Sequence, residues 1–148
     1  MSEETPKAKT LKGTHRFKVD AKGRMSLPAS FRKVLSSDLV VTPNPHDECI
    51  YVFEPESFDQ WIEDAFNRVG GYNPLDNGHV AQRRKLFARA VDVTTDSAGR
   101  IMLSADQRKT VGIDKDVVLV GNSGYFEVWD AKRYDQVDAD VDLSQLFG

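Results

Sequence analysis

One short string occurs twice in this chain. Asp20-Ala-Lys-Gly23-Arg24 and Asp96-Ser-Ala-Gly99-Arg100 stand 76 residues apart, counted from Asp20 to Asp96, in matching apolar contexts. Phe17-Lys-Val-Asp20 before the first copy and Met25-Ser-Leu27 after it align with Val93-Thr-Thr-Asp96 and Ile101-Met-Leu103. The offset holds through Ala29/Ala105, Arg32/Arg108 and Lys33/Lys109. It holds again where Ile50-Tyr-Val52-Phe53-Glu54 lies over Phe126-Glu-Val128-Trp129-Asp130. Between these anchors Leu39–Thr42 answers Val117–Val120. A chain that repeats itself in this way builds one supersecondary unit twice, which restricts the fold more than composition can.

Each copy reads as strand, tight turn, strand, short helix, strand, turn, strand. The first strand spans Thr14 to Asp20, and its counterpart Val91 to Thr95. In Asp-x-x-Gly the carboxylate can accept from backbone amides ahead of it, and the glycine supplies the positive φ that such a turn demands. Arg24-Met25-Ser26-Leu27 and Arg100-Ile101-Met102-Leu103 alternate polar and apolar, as half-buried strands do. A helix of about two turns follows, with Pro28 suited to its opening in the first copy. In the second, Ser104 and Gln107 have capping-box spacing and Gly112 marks the stop. Leu39–Thr42 with Cys49–Glu54, and Val117–Gly121 with Tyr125–Asp130, read as hairpins. Four short strands cannot bury two faces alone. The expected fold is therefore α+β, predominantly β: two tandem swapped-hairpin modules closing into a pseudo-two-fold β-barrel unit with flanking helices.

Helical material joins the copies. Phe58, Trp61, Ile62, Ala65, Phe66 and Val69 recur at steps of three and four, and Gly70-Gly71 ends the run. That face is expected to pack on its own barrel or against a neighbouring subunit. A second helix from about Gly78 to Ala90 places Val80 and Phe87, with Val91 just beyond, on one side and Arg83, Arg84, Lys85 and Arg89 elsewhere. The divisions expected are a flexible basic N-terminal arm over 1–12, a first repeat over 13–55, and a helical connector over 56–90. A second repeat over 91–135 and an acidic C-terminal tail over 136–148 complete the chain, and about 138–148 is expected to be poorly ordered in isolation.

Net charge is -3, which by itself argues against nucleic acid, but the charges fall in blocks. From Lys7 to Lys33 the bases are Lys7, Lys9, Lys12, Arg16, Lys18, Lys22, Arg24, Arg32 and Lys33, against the one acid Asp20. Asp38 to Asp64 carries only acids. The pattern predicts one cationic face. Cys49 is the only cysteine, so no intrachain disulfide forms, and it reads as a buried small hydrophobe. The polar start Met1–Pro6 lacks a secretory signal's apolar core, and no stretch suits a membrane span. A cytoplasmic protein is expected. His15, His46 and His79 are scattered, without metal-ligand spacing. Asp20 and Asp96 have no nucleophile, phosphate loop or cofactor motif beside them. Neither a metal, a cofactor, a small-molecule substrate nor an enzyme is expected.

Two Asp-x-x-Gly-Arg modules, each followed by an apolar strand and a short helix, resemble the MraZ family over about residues 13–135. The halves are similar to the swapped-hairpin modules of AbrB-type regulators and some antitoxins. The resemblance implies a sequence-specific transcriptional regulator that binds double-stranded promoter DNA at short G-rich direct repeats. It also implies control of its own promoter and the division and cell-wall gene cluster, assembly as a homo-oligomeric ring, and a nucleoid-associated location. An antitoxin-type module that binds a protein partner is the alternative. The family's DNA-contacting Asp-x-x-x-Arg motif maps onto Asp20 and Arg24, and onto Asp96 and Arg100.

A guanidinium presents a planar fork that matches guanine O6 and N7, or a phosphate. Each arginine can instead simply pair with the aspartate of its own turn, and the two readings are compatible, since the aspartate can aim the arginine. Lys18, Lys22, Arg16 and His15 flank the first turn and are expected to touch phosphates and set register. The second turn carries Ser97 and Ala98 where the first has Ala21 and Lys22, so the first copy is expected to dominate phosphate binding. Whether Arg100 meets DNA or a neighbouring subunit stays open. Arg32 and Arg108 are expected on exposed helix surface. Arg83-Arg84-Lys85 suits nucleic acid or ion pairs between subunits.

Overall fold

The Asp-x-x-Gly turns send the strands on either side of them into different sheets, and the whole topology follows from that. A computed structural model of the chain describes residues 10–148. Of the expected basic arm over 1–12, residues 1–9 lie outside the described residues, while Leu11 is buried and bridges Ser123. Strand β1 (Thr14–Lys18) enters the first turn and β2 (Arg24–Ser26) leaves it; β5 (Val91–Thr94) and β6 (Arg100–Met102) do the same around the second. Between them come α1 (Ala29–Arg32), the hairpin of β3 (Asp38–Pro43) and β4 (Ile50–Phe53), α2 (Pro55–Asn67) and α3 (Asn77–Ala88). After β6 follow α4 (Ala105–Val111), the hairpin of β7 (Asp116–Asn122) and β8 (Tyr125–Asp130), α5 (Ala131–Ala139) and α6 (Ser144–Phe147).

The strands interleave. Six form an antiparallel sheet in the order β1-β7-β8-β4-β3-β5, and β2 pairs with β6 in a separate two-stranded ribbon. Thus β1 of the first copy pairs with β7 of the second, while β5 of the second pairs with β3 of the first. A pseudo-dyad runs through the sequence-equivalent residues Met25 and Ile101, which face each other in the ribbon. It also runs through the equivalent pair Tyr51 and Glu127 in the sheet. Equivalent backbone bonds lock the crossing, Leu27 N–H to Gly99 O at 2.9 Å and Leu103 N–H to Gly23 O at 2.7 Å. The swapped, mixed α+β fold with two repeats is as the sequence implies.

The expected closed barrel does not form. The six-stranded sheet stays open, with β1 and β5 at its edges. At the first turn only Asp20 N–H to Arg24 O and Gly23 N–H to Asp20 O join the two arms, so β2 turns away and spends its ladder on β6. The ribbon and the short helices then cover one sheet face without continuing its hydrogen bonds. That face holds the main core, with Met25, Phe31, Leu39, Val41, Val52, Ile101, Leu103, Leu119 and Phe126 among its buried residues. Side chains alternate along a strand, so Val40, between Leu39 and Val41, points to the other face. There Phe53 and α2's Phe58, Ile62 and Phe66 form a second core, with Leu86 of α3 packed against it.

Local chemistry sets the helix lengths. In α4, Ser104 Oγ accepts the Gln107 amide at 3.1 Å and Gly112 closes the helix in the left-handed region at φ 73°. The first copy has neither device, and α1 runs only four residues from the Pro28 cap, shorter than the two turns expected. Pro55 opens α2, and Asp76 accepts the Gly78 and His79 amides to start α3. Residues 131–139, given no helix by the sequence pattern, form α5, whose Tyr134 packs on Trp129 at 6.0 Å between ring centroids. In the C-terminal segment Asp142 Oδ1 accepts the Ser144 amide at 3.0 Å and α6 follows. Cys49 is buried, as expected, and burial pushes its thiol well above the ordinary range. Among the described residues no helix is long and apolar enough to cross a membrane.

Candidate nucleic-acid interface

The two turns are built alike. Asp20 Oδ1 accepts the amides of Lys22 at 3.0 Å and Arg24 at 2.8 Å, and Oδ2 accepts Arg24 Nε–H at 2.7 Å. Asp96 repeats the set with Ala98 at 2.9 Å, Arg100 at 2.9 Å and Arg100 Nε at 3.1 Å. The amide of Arg24 does most to hold the Asp20 carboxyl below its ordinary value, ahead of the guanidinium and the Lys22 amide, and desolvation opposes them. The same causes lower Asp96, led by the Arg100 amide. Each carboxylate thus ties down its arginine's backbone and Nε together. The two terminal Nη atoms of each arginine have no hydrogen-bond partner among the described residues, so aspartate pairing and outward presentation coexist.

The ribbon register puts both arginines on one surface. Met25 and Ile101 point inward and are almost fully buried. Because side chains alternate, Arg24, Ser26, Arg100 and Met102 share the outer face. Arg24 stands opposite Met102, and Arg100 opposite Ser26, so the guanidinium stems lie on a diagonal across the dyad. Met102, the apolar member of this face, is 52% exposed.

Two more guanidiniums border the turns. A Cβ placed on Gly99 would lie 2.7 Å from Nη1 of Arg32, and one on Gly23 would lie 3.2 Å from an Nη of Arg108. Arg108 Nε also donates to Leu103 O at 3.2 Å. Arg32 is exposed on its short helix, as expected, and Arg108 is half-buried, but each also lies over the turn glycine of the opposite repeat. The sequence pairs Arg32 with Arg108 by offset, but nothing in a linear reading shows that each crosses to the other copy's turn.

The remaining predicted residues divide. Lys22 is exposed within the first turn beside Arg24. Lys18 lies on β1, 3.8 Å from Asp116, and Arg16 is engaged by Asp135 at 2.7 Å, so on this edge strand each is paired with a carboxylate of its own chain. His15 packs edge-on against Phe31 at 5.1 Å. Arg83 stacks over Tyr72 at 5.2 Å and Phe87 at 5.0 Å, and Arg89 pairs with Asp47 of its own chain. Among the described residues no group of three or more His, Cys, Asp or Glu is placed to hold a metal ion.

An interleaved pair of repeats with its duplicated arginine turns on one ribbon defines a duplicated swapped-hairpin protein. The MraZ family model, described as "MraZ protein, putative antitoxin-like", matches residues 10–69 and 86–145. A transcriptional regulator MraZ of Saccharopolyspora erythraea is 38% identical over 123 residues, 82% of each chain. Another, from Lachnoclostridium phytofermentans, is 33% identical over 142 residues, covering 92% of this chain and 96% of the relative. A third, from Mycobacterium ulcerans, is 38% identical over 122 residues. The chain belongs to the MraZ family.

Proposed function

We propose that this chain is a sequence-specific, DNA-binding transcriptional regulator that reads base edges with the β2–β6 ribbon. The carrying observation is that Arg24 and Arg100 share the outer ribbon face with Nε held and Nη free. A two-stranded ribbon fits the major groove, and an arginine fork suits guanine O6 and N7 there. An arginine already held by a carboxylate loses less side-chain freedom on binding than a free one. Met102 would meet an apolar base edge such as a thymine methyl, while Ser26, its equivalent, would not. Lys22, Arg32 and Arg108 surround the ribbon with phosphate-binding charge, and Lys18 and Arg16 extend it along β1 once their carboxylate partners yield. Relatives named transcriptional regulator MraZ support the regulatory role. Its target on this reading is short G-rich direct repeats in its own promoter and in the division and cell-wall cluster. It would bind there as a homo-oligomer closing into a ring, in the cytoplasm at the nucleoid. Repeated subunits on repeated sites gain through effective concentration.

The test is fluorescence anisotropy at about 0.15 M salt, where long-range steering is screened. DNA from immediately upstream of the gene is compared with a scrambled duplex. A preference for the native DNA that falls with Arg24→Ala supports the reading. Equal, weak binding to both overturns it in favour of a protein partner. Because Lys22 has no counterpart in the second turn, Arg24→Ala is expected to weaken specific binding more than Arg100→Ala. Equal losses would remove that asymmetry.

A further inference from the structure

Beside the second core, a groove between α2 and α3 stays open among the described residues. Phe58, Ile62 and Phe66 enter the second core and Trp61 packs on it against Tyr51 and Phe53, while the open sides of Trp61, Ala65 and Val69 line this groove of about 560 Å³, with Leu86 on the far wall. Arg68, Lys85 and Arg89 edge the groove, and among the described residues no acidic one lines it. Arg89 is already balanced by Asp47, whereas Arg68 and Lys85 are exposed.

A second surface has the opposite character. Leu143, Leu146 and Phe147 fall at helical steps of three and one, so α6 gathers them on one side. They are 67%, 77% and 84% exposed, although α6 is a formed helix whose start Asp142 holds through Ser144. Asp138, Asp140 and Asp142 precede and flank them. Among the described residues nothing covers this apolar helix edge with its acidic flanks. Its size and sign suit an apolar groove with a basic rim.

We propose that the C-terminal segment of one copy, residues 138–147, docks Leu143, Leu146 and Phe147 into the α2–α3 groove of a second copy, with its aspartates facing Arg68 and Lys85. The contact is heterologous: groove and segment are different surfaces, so each copy offers one of each and the association closes into a ring or runs on. This deepens the self-association in the proposed function and rests on it; DNA recognition by the ribbon is independent of it.

Light scattering on the full chain and on two variants tests the inference. Phe147→Asp spoils the segment, and Val69→Asp spoils the groove. Both residues are exposed, so circular dichroism and thermal unfolding should match the parent. Each variant alone is expected to fall from an assembly to a single chain. An equal mixture is expected to form a dimer and stop there, because only one intact groove and one intact segment remain to meet. Truncation after Asp140 should behave as Phe147→Asp does. A parent chain that is itself a single chain overturns self-association as well as this contact. A parent assembly that both variants preserve, or a mixture that stays as single chains, overturns the contact alone.

Discussion

At Arg24 the guanidinium is divided between two tasks, since Nε faces Asp20 while the Nη pair faces outward. The division depends on the carboxylate being ionised, and its pH range follows from the direction of the shift. Asp20 and Asp96 are both held below the ordinary aspartate value of about 3.9. Their contribution to the turns is complete above that value and is lost only as pH falls through the lower folded value. Carboxyl carbon NMR across an acid titration should therefore place both midpoints below about 3.9, and a midpoint at or above it would contradict the geometry. Asp20→Asn should keep the amide bonds through its side-chain oxygen but loosen Nε. Specific DNA binding should fall by less than in Arg24→Ala, where a whole bidentate contact of about 1–3 kcal/mol disappears. Anisotropy on the same duplex ranks the two.

The turn, as an element, needs its glycine twice over. Gly23 has φ 87°, and a Cβ there would also collide with the carbonyl oxygen of Leu103, the residue whose amide donates across to Gly23 O. Gly23→Ala is expected to cost more than the roughly 1 kcal/mol of an ordinary glycine substitution, read as a lowered Tm with reduced ribbon protection in hydrogen exchange. Gln107 is a second such joint, since its Nε2 donates to Val41 O at 2.9 Å and Arg89 O at 3.3 Å. Gln107→Leu leaves the buried Val41 carbonyl without that donor and should destabilise by about 1–3 kcal/mol in urea unfolding. Features like these sort what a linear reading can find. Asp-x-x-Gly, the Ser104 cap, the Gly112 stop and α2's apolar steps act within a few residues, so each was legible. Both site arginines were legible too, because motif and offset mark them. Their common face was not, since it depends on the β2–β6 register. Arg32 over Gly99 and Arg16 on Asp135 were hidden for the same reason: partners far apart in sequence meet only once the copies interleave. Helix α5 buries no residue fully and so carries no apolar stripe in the sequence. The open sheet departs from the expected barrel because the turn bonds are too few to carry the ladder from β1 into β2.

Interleaving makes the whole chain one cooperative object. Of the six strand ladders among the described residues, only β3·β4 and β7·β8 stay within a repeat; the pairings β1·β7, β2·β6, β3·β5 and β4·β8 all cross between repeats. A fragment of residues 1–90 would keep one isolated hairpin and lose a partner for every other strand it contains. It would also expose Met25, Ile50 and Val52, each fully buried in the intact chain. An isolated hairpin is at best marginally stable in water. The pseudo-dyad offers such a fragment one escape. Met25 faces its equivalent Ile101, and β4 faces its equivalent β8, so a second copy of the fragment can take the place of the missing repeat. The fragment is therefore expected to be either unfolded or a dimer whose unfolding midpoint rises with concentration. Circular dichroism with light scattering over a dilution series distinguishes these. A monomeric fragment that unfolds cooperatively at a concentration-independent midpoint would show that the crossing ladders do not hold the fold together. The expected dimer would show that the two repeats can complete each other whether or not the connector joins them.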